Sequence, residues 1–364
     1  MSQIRAAIAS LVEGRPLAPE QIGLALGEIM DGKATPATTA GLLVGLRMKG
    51  ETTEEIVAVA KALRERATAA SVQDDRVIDT CGTGGSGIDT FNISTTAAFV
   101  VAGAGATVAK HGNRAATSRS GSFDVLEALG IRIDLPIPVY AEILDKVGIA
   151  PFFARTAHPA FRHVGPVRSE LGVRTLLNCL GPLLSPVGAR YQVVGVYARE
   201  LVEPLARALA ELGAKRALVV HGDDGMDELT TTGPSLAALV SGGRVEKLSV
   251  DPSRLGIAEA SLSDLQGGTP EENAKITHAI LRGEKGPRRD IVLLNASAAL
   301  WVVEKVQSLE AGLVMAAESI DQGRAAAKLE SLSEATQKAG ERLPSQDAMR
   351  GASSPNEDSG KSVS

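Results

Sequence analysis

Arg76-Val-Ile-Asp-Thr-Cys-Gly-Thr-Gly-Gly-Ser-Gly87 decides the reading of this chain. A short strand, Arg76–Asp79, runs straight into a glycine-rich loop. Glycines permit positive φ and let backbone N–H groups approach an anion closely. Gly82, Gly84 and Gly87 match G-x-G-x-x-G, but a dinucleotide fold would start its helix inside that motif and hold ribose with an acid about 20 residues later. Here the next helix starts around Asn92-Ile-Ser-Thr95, and the following strand ends in Lys110-His111. No Lys-Ser or Lys-Thr follows Gly87, so the loop is not a P-loop either. Two readings stay open at this point: a plain Gly-rich turn, or an anion cradle outside both of those classes.

Upstream, residues 1 to about 70 read as helix throughout. Ile4, Ile8 and Leu11 recur at helical spacing, Pro19 and Pro36 sit where first helical turns accept proline, and Glu51-Thr-Thr-Glu-Glu55 places acids at a helix N-terminus. Downstream, the strand candidates are Thr107–Ala109, Ile131–Ile133, Tyr191–Val196, Ala217–Val220, Val245–Val250 and Ile291–Leu294. They alternate with helical stretches such as Leu201–Leu212, the pattern of an α/β domain with a mostly parallel sheet. Arg168–Leu184 reads as helix and is placed with the N-terminal helices. The expected organisation is a small helical domain, 1–72 joined by about 168–190, hinged to a larger α/β domain, 73–167 and 191–339. The Ser/Gly/Asp/Lys-rich tail, 340–364, is expected to be disordered.

Composition narrows the function classes. Of 364 residues, 44% are hydrophobic, enough for a buried core, and the formal net charge of −5 argues against a broad nucleic-acid surface. Cys81 and Cys179 are the only cysteines, too few for a disulfide framework or a cysteine zinc site. The start, Met1–Leu17, lacks the pattern of a signal peptide, and the weakly polar run Ala97–Ala109 falls short of the roughly 20 residues that span a bilayer. A cytoplasmic protein without membrane partners is expected.

Four further segments carry chemistry. Asn92-Ile-Ser-Thr95 opens an Ala-rich helix, where hydroxyls serve as caps or as phosphate donors. Lys110-His-Gly-Asn-Arg114, continuing to Ser122, interleaves cations with Gly, Asn and Ser at a strand's end, where open α/β sheets bind ligands. His221-Gly-Asp-Asp-Gly-Met-Asp-Glu228 stacks carboxylates after another strand, which suits a magnesium ion bridging acids to substrate phosphates, or a solvated acidic turn. Gly165-Pro-Val-Arg168 offers a guanidinium that can pair with a substrate carboxylate. Cys81 beside the loop reads as a small buried thiol.

Taken together, Gly82-Thr-Gly-Gly85, Phe91-Asn-Ile-Ser-Thr95, Lys110–Arg114, Gly165–Arg168, Asn178-Cys-Leu-Gly-Pro182, and Asp227-Glu228 followed by Thr231-Thr-Gly-Pro234 resemble, in order and spacing, the anthranilate phosphoribosyltransferases of tryptophan biosynthesis. The resemblance covers residues 5 to about 338. It implies transfer of the phosphoribosyl group of phosphoribosyl pyrophosphate to the amine of anthranilate, giving phosphoribosyl anthranilate and pyrophosphate. It also implies a homodimer through the helical domain and a site between the two domains. By motif, Gly82, Gly85, Ser86, Thr90, Asn92, Ile93, Ser94, Thr95, Lys110, His111, Gly112, Asn113, Arg114, Ala115, Ala116, Thr117, Ser118 and Ser122 would bind the phosphoribosyl donor. Gly82, Asn113 and Arg168 would contact anthranilate, and Ser94, Asp227 and Glu228 would ligate Mg2+.

Three positions depart from the family pattern: Ser86 where Asp is common after Gly-Gly, Ala157 before His158-Pro-Ala160, and Leu184-Ser-Pro186 after Gly-Pro-Leu. Two other classes share the architecture: a pyrimidine-nucleoside phosphorylase, disfavoured by the Asp227-Glu228 pair, and a non-catalytic nucleic-acid-binding relative, disfavoured by the acidic balance.

Overall fold

The computed structural model describes residues 2–115 and 119–342. Four helices open the chain: α1 (Gln3–Val12), α2 (Pro19–Met30), α3 (Pro36–Lys49) and α4 (Thr53–Arg64). Proline occupies the first turn of α2 and α3, where its missing N–H costs nothing. Thr35 and Thr52 close reciprocal capping boxes on α3 and α4.

The remainder alternates strands and helices: β1 (Ile78–Gly82), α5 (Ile93–Gly103), β2 (Val108–Gly112), α6 (Ser122–Ala128), α7 (Ile137–Val147), β3 (Ile149–Phe153), α8 (Ala154–Ala157), α9 (Gly165–Leu171), β4 (Tyr191–Gly195), α10 (Val202–Glu211), β5 (Arg216–Gly222), β6 (Ser235–Ser241), β7 (Arg244–Val250), α11 (Pro270–Leu281), α12 (Pro287–Val302), α13 (Leu309–Asp321) and α14 (Arg324–Arg342). The strands form one sheet in the order β3-β2-β1-β4-β5-β6-β7. The pairs from β3 to β5 are parallel, whereas β6 and β7 add antiparallel beyond β5, with β7 at the edge.

Strand alternation divides the interior into two cores. In β5, Leu218 and Val220 face one core with α5, α7, α12 and α14, while Ala217 and Val219 face the other with α10 and the N-terminal helices. The chain leaves β1 toward β2 on one side and leaves β4 toward β5 on the other, so a topological switch lies between β1 and β4. Crevices for ligands form outside the carboxyl ends of strands at such a switch. Among the described residues, no helix is long and apolar enough to cross a membrane.

Several local expectations need correction. Ile291–Leu294 lies inside α12, not in a strand. That helix is apolar on nearly every face because it is buried all round, which erases the amphipathic period. Ile131–Ile133 is a loop whose two isoleucines plug the first core. Arg168–Leu184 is helical only to Leu171; beyond Gly172, at φ +62°, it continues as short 3-10 turns at Leu176–Asn178 and Gly181–Leu183. Its leucines do join the core of the N-terminal helices. Strands β3 and β6 were not anticipated. Residues 340–342 complete α14; the rest of the tail, 343–364, lies outside the described residues.

Candidate active site

At the switch point, β1 and β4 end in register, Gly82 opposite Gly195. The Gly-rich loop leaves from this pair and is stitched back onto β4: Thr83 N–H donates to the Gly195 carbonyl at 2.8 Å, and Tyr197 N–H donates to Thr83 Oγ1 at 3.1 Å. Gly84, Gly85 and Gly87 have φ of +67°, +80° and +79°, conformations that side-chain-bearing residues rarely adopt. Among the described residues, no protein acceptor takes the N–H groups of Gly85, Ser86 or Gly87. Consecutive free amides in such a turn form a concavity suited to an anion.

The acidic loop after β5 closes on the same place. Asp227 accepts from Gly84 N–H at 2.9 Å, and Glu228 Oε1 accepts from Ser94 N–H, in the first turn of α5, at 3.2 Å. The N-cap Asn92 makes no capping bond, so Glu228 meets the positive end of that helix directly. Gly195 is indispensable here: a Cβ on it would sit 1.6 Å from the Asp227 carbonyl oxygen. Asp224 shapes the loop by accepting from Thr230 and Thr232 hydroxyls at 2.7 and 2.6 Å, and Asn295 of α12 clamps both polar groups of the Leu229 backbone at 3.1 and 2.8 Å. Asp223 instead pairs with Arg199 on the surface.

Beneath the loops lies a buried charged layer. Lys110 donates to the Thr80 carbonyl at 2.6 Å and lies 3.5 Å from Ser94 Oγ. Asp79 accepts from His111 N–H at 3.0 Å, and among the described residues its second oxygen has no partner. Desolvation, opposed mainly by the Lys110 charge, holds the Asp79 carboxyl up at about 6. Desolvation first and the Asp227 charge second push Glu228 to about 7. Burial pushes the Cys81 thiol well above its ordinary range, although the residue is not fully enclosed as expected.

The donor set fits magnesium. Two adjacent carboxylates, one disfavoured as an anion by its neighbour and its surroundings, gain from a divalent cation. Among the described residues no group of three or more His, Cys, Asp or Glu side chains converges to enclose a metal, so substrate and water oxygens would complete the shell, as magnesium prefers.

The other expected residues divide. Asn92 ties the site together, with its amide donating to Ser120 O and accepting from Asn273 and Ser120. Thr90 bridges to Gln266. Ile93 and Thr95 point into the interior, so only their backbone is available. Gly112 lets Ser122 approach, and Ser122 Oγ donates to Asn113 O at 3.2 Å. Arg114 pairs with Asp124 and Glu127 of α6 through its two terminal nitrogens while staying partly exposed, and Ala115 N–H donates to Asp124. Ala116, Thr117 and Ser118 lie outside the described residues.

Arg168 sits on α9 with no ion pair or side-chain hydrogen bond among the described residues, and burial lowers its pKa. The chain that follows it runs over the strand ends. Arg174 donates to Gly85 O, Gly181 O lies 3.2 Å from His111 Nδ1, and Pro182 O accepts from Gln192 at 2.7 Å. His158 packs edge-on to His111 with ring centroids 5.2 Å apart. Desolvation holds the two imidazoles down at about 4 and about 3. Asp79, Arg174, Gly195, Tyr197 and Asn295 escaped sequence reasoning; of these, only Asp79, a lone acid within an apolar strand, carried a local signal.

Residues 5–67 match the helical bundle domain of the glycosyl transferase family, and residues 74–326 match its a/b domain. The anthranilate phosphoribosyltransferase of Symbiobacterium thermophilum is 52% identical over 78% of this chain and 84% of its own length. That of Pelotomaculum thermopropionicum is 49% identical over 92% and 96%. The crystal structure of the Thermus thermophilus enzyme superposes with TM-score 0.87 at 43% identity, covering 93% of this chain and all of that one (100%). A Saccharomyces cerevisiae enzyme in complex with PRPP and Mg superposes at 0.83 with 27% identity, covering 92% of this chain and 98% of that one.

Proposed function

We propose, from the premise that this chain belongs to the anthranilate phosphoribosyltransferase family, that the crevice between Gly82–Gly87 and Asp227–Glu228 is where its transfer reaction occurs. The family's reaction moves the phosphoribosyl group of phosphoribosyl pyrophosphate onto the amine of anthranilate. One observation carries the assignment: the free amides of the Gly-rich loop and the acids of the loop after β5 face one another across Gly84 and Asp227, 2.9 Å apart.

In this reading the donor's diphosphate lies against the N–H groups of Gly85, Ser86 and Gly87, with Asn92, Ser94 and the start of α5 along its length. Thr90, Ile93, Thr95, Gly112, Asn113 and Ser122 line the rest. Lys110, held by Thr80 and facing Ser94, supplies positive potential behind the diphosphate. Ser94, Asp227 and Glu228 would hold magnesium, which when bound offsets the charge of the leaving pyrophosphate. Gly82, Asn113 and the unpaired guanidinium of Arg168 receive anthranilate, a bidentate match for its carboxylate.

The amine nitrogen's lone pair forms the new bond to the ribose anomeric carbon as the bond from that carbon to the pyrophosphate oxygen breaks. The electron pair leaves with pyrophosphate, and the amine proton passes to solvent or to the departing group. An aromatic amine is unprotonated at neutral pH, so positioning and electrostatics do most of the work. His111 and His158, held neutral by burial, are poor candidates for a general base.

We place the hinge between 1–72 with about 168–190 and 73–167 with 191–339. Val12 and Met48, 81% and 84% exposed on α1 and α3, support dimerisation through the helical domain; size-exclusion chromatography with light scattering tests it. The assignment itself is tested by mixing protein, phosphoribosyl pyrophosphate, magnesium and anthranilate and following loss of anthranilate fluorescence. Replacing Asp227 and Glu228 together by Ala abolishes turnover if the acids hold the metal; full turnover in that variant refutes it.

A further inference from the structure

The sheet holds the Gly-rich loop through Gly195, Tyr197 and Asp227, at one end of the turn. A further hold comes from the other side of the crevice. Arg174 follows α9 and precedes the turn at Leu176–Asn178, whose Leu176 and Leu177 are buried with the N-terminal helices. Its Nη2 donates to the Gly85 carbonyl, and its guanidinium lies over the Tyr197 ring, 4.3 Å from the centroid.

We propose that Arg174 is a positioning residue for the phosphoribosyl donor, aligning the Gly85–Ser86 peptide and linking that alignment to the segment carrying Arg168. The inference rests on the functional reading above. In a planar trans peptide the carbonyl and the following N–H point in opposite directions. Holding Gly85 O toward Arg174 therefore turns Ser86 N–H to the opposite side of the peptide, where it has no protein acceptor among the described residues. Gly84 and Gly85, at positive φ and without side chains, give the peptide no steric reason to stay in that orientation. Tyr197 keeps the guanidinium in place by stacking, a contact that a lysine ammonium does not reproduce. Because Arg174 lies six residues beyond Arg168, on the same chain segment, ordering of either end favours the other. Binding of donor and of anthranilate is then coupled, each tightening the other by the same factor.

The test uses the full-length protein with Arg174→Ala and Arg174→Lys. Steady-state anthranilate consumption gives kcat and both KM values, and calorimetry gives the affinity for phosphoribosyl pyrophosphate with magnesium, with and without an unreactive benzoate analogue of anthranilate. The expected result for Arg174→Ala is a rise of about tenfold in donor KM and Kd, the scale of one lost charge-assisted hydrogen bond in a solvent-exposed setting. In the same variant kcat stays within about threefold, the thermal midpoint is unchanged, and the analogue no longer tightens donor binding. Arg174→Lys, which keeps a donor but loses the stack, falls between. An unchanged donor KM and Kd overturns the proposal, as does a loss confined to kcat, or coupling that survives in Arg174→Ala. Wild-type turnover and the Asp227→Ala/Glu228→Ala variant are measured alongside: if that variant stays fully active, the site assignment fails, and Arg174 is not what failed.

Discussion

Gly195→Ala perturbs the acidic loop without touching any group assigned to a substrate. The added Cβ would lie 1.6 Å from the Asp227 carbonyl oxygen and 2.4 Å from its carbonyl carbon. Since the closest tolerable carbon–oxygen contacts are about 3.3 Å, something must retreat by roughly 1.7 Å. Strand β4 is fixed on both flanks by β1 and β5, so the loop moves. Asp227 then withdraws from Gly84 N–H and Glu228 from Ser94 N–H. A misplacement near 1 Å can cost on the order of a hundredfold in rate, so kcat/KM should fall at least that far. Overpacking should lower stability by only about 1–3 kcal/mol. The fluorescence assay with saturating magnesium gives kcat/KM, and thermal unfolding confirms the fold. Gly82→Ala provides the contrast for stability, because its closest clash is with the Asp227 carboxylate, Oδ2 at 2.5 Å, which can swing aside, while the Asp227 backbone oxygen stays at an ordinary 3.4 Å. A Gly195→Ala protein with an unchanged midpoint and kcat/KM within threefold of wild type would falsify this account of the loop.

Other perturbations separate the remaining roles. Arg168→Ala should weaken anthranilate affinity by about 1.5–3 kcal/mol, the usual worth of hydrogen bonds to charged groups; an unaltered affinity in a binding titration removes Arg168 from the site. Asn295→Leu strands the Leu229 N–H and carbonyl in the interior, costing roughly 1–3 kcal/mol in chemical denaturation, and should reduce turnover through Glu228; undiminished stability would show that the clamp is slack. His111 and His158 are held at about 3 and about 4, below the usual 6.5 or so. The unfolded chain therefore takes up their protons first. Their contribution to stability is complete above about pH 6.5 and is lost as pH falls through about 4, by up to about 1.4 kcal/mol per pH unit for each ring. Denaturation curves between pH 7 and 4.5 should show a smaller acid loss for His158→Leu than for wild type; equal losses would mean that the imidazole is not held neutral.

The motifs around the crevice were legible because each is local. Glycines at 82, 84, 85 and 87 announce a backbone that must turn tightly, and hydroxyls and acids at a helix start or strand end announce a polar role. The elements that misled are those whose surroundings, not whose own pattern, decide them. Ile291-Val-Leu-Leu294 has the look of an interior strand, yet α12 is apolar because helices and sheet surround it. Ile131 and Ile133 look like alternate strand positions, yet they are loop residues filling the first core.

By itself the sequence determined the composition of the parts: a helical opening, an α/β body, a glycine-rich loop, an acidic turn, and a family resemblance that the comparisons uphold. Those follow from chain-local physics, since periodicity, glycine conformation and the charge of neighbouring residues do not depend on what lies across the fold. Only the tertiary structure decided which parts meet. Gly84 and Asp227 are 143 positions apart in the chain, and no local rule relates them. What brings them together is the strand order, which sets β1 beside β4, and the absence of a side chain at Gly195, which lets the acidic loop descend onto the glycine turn.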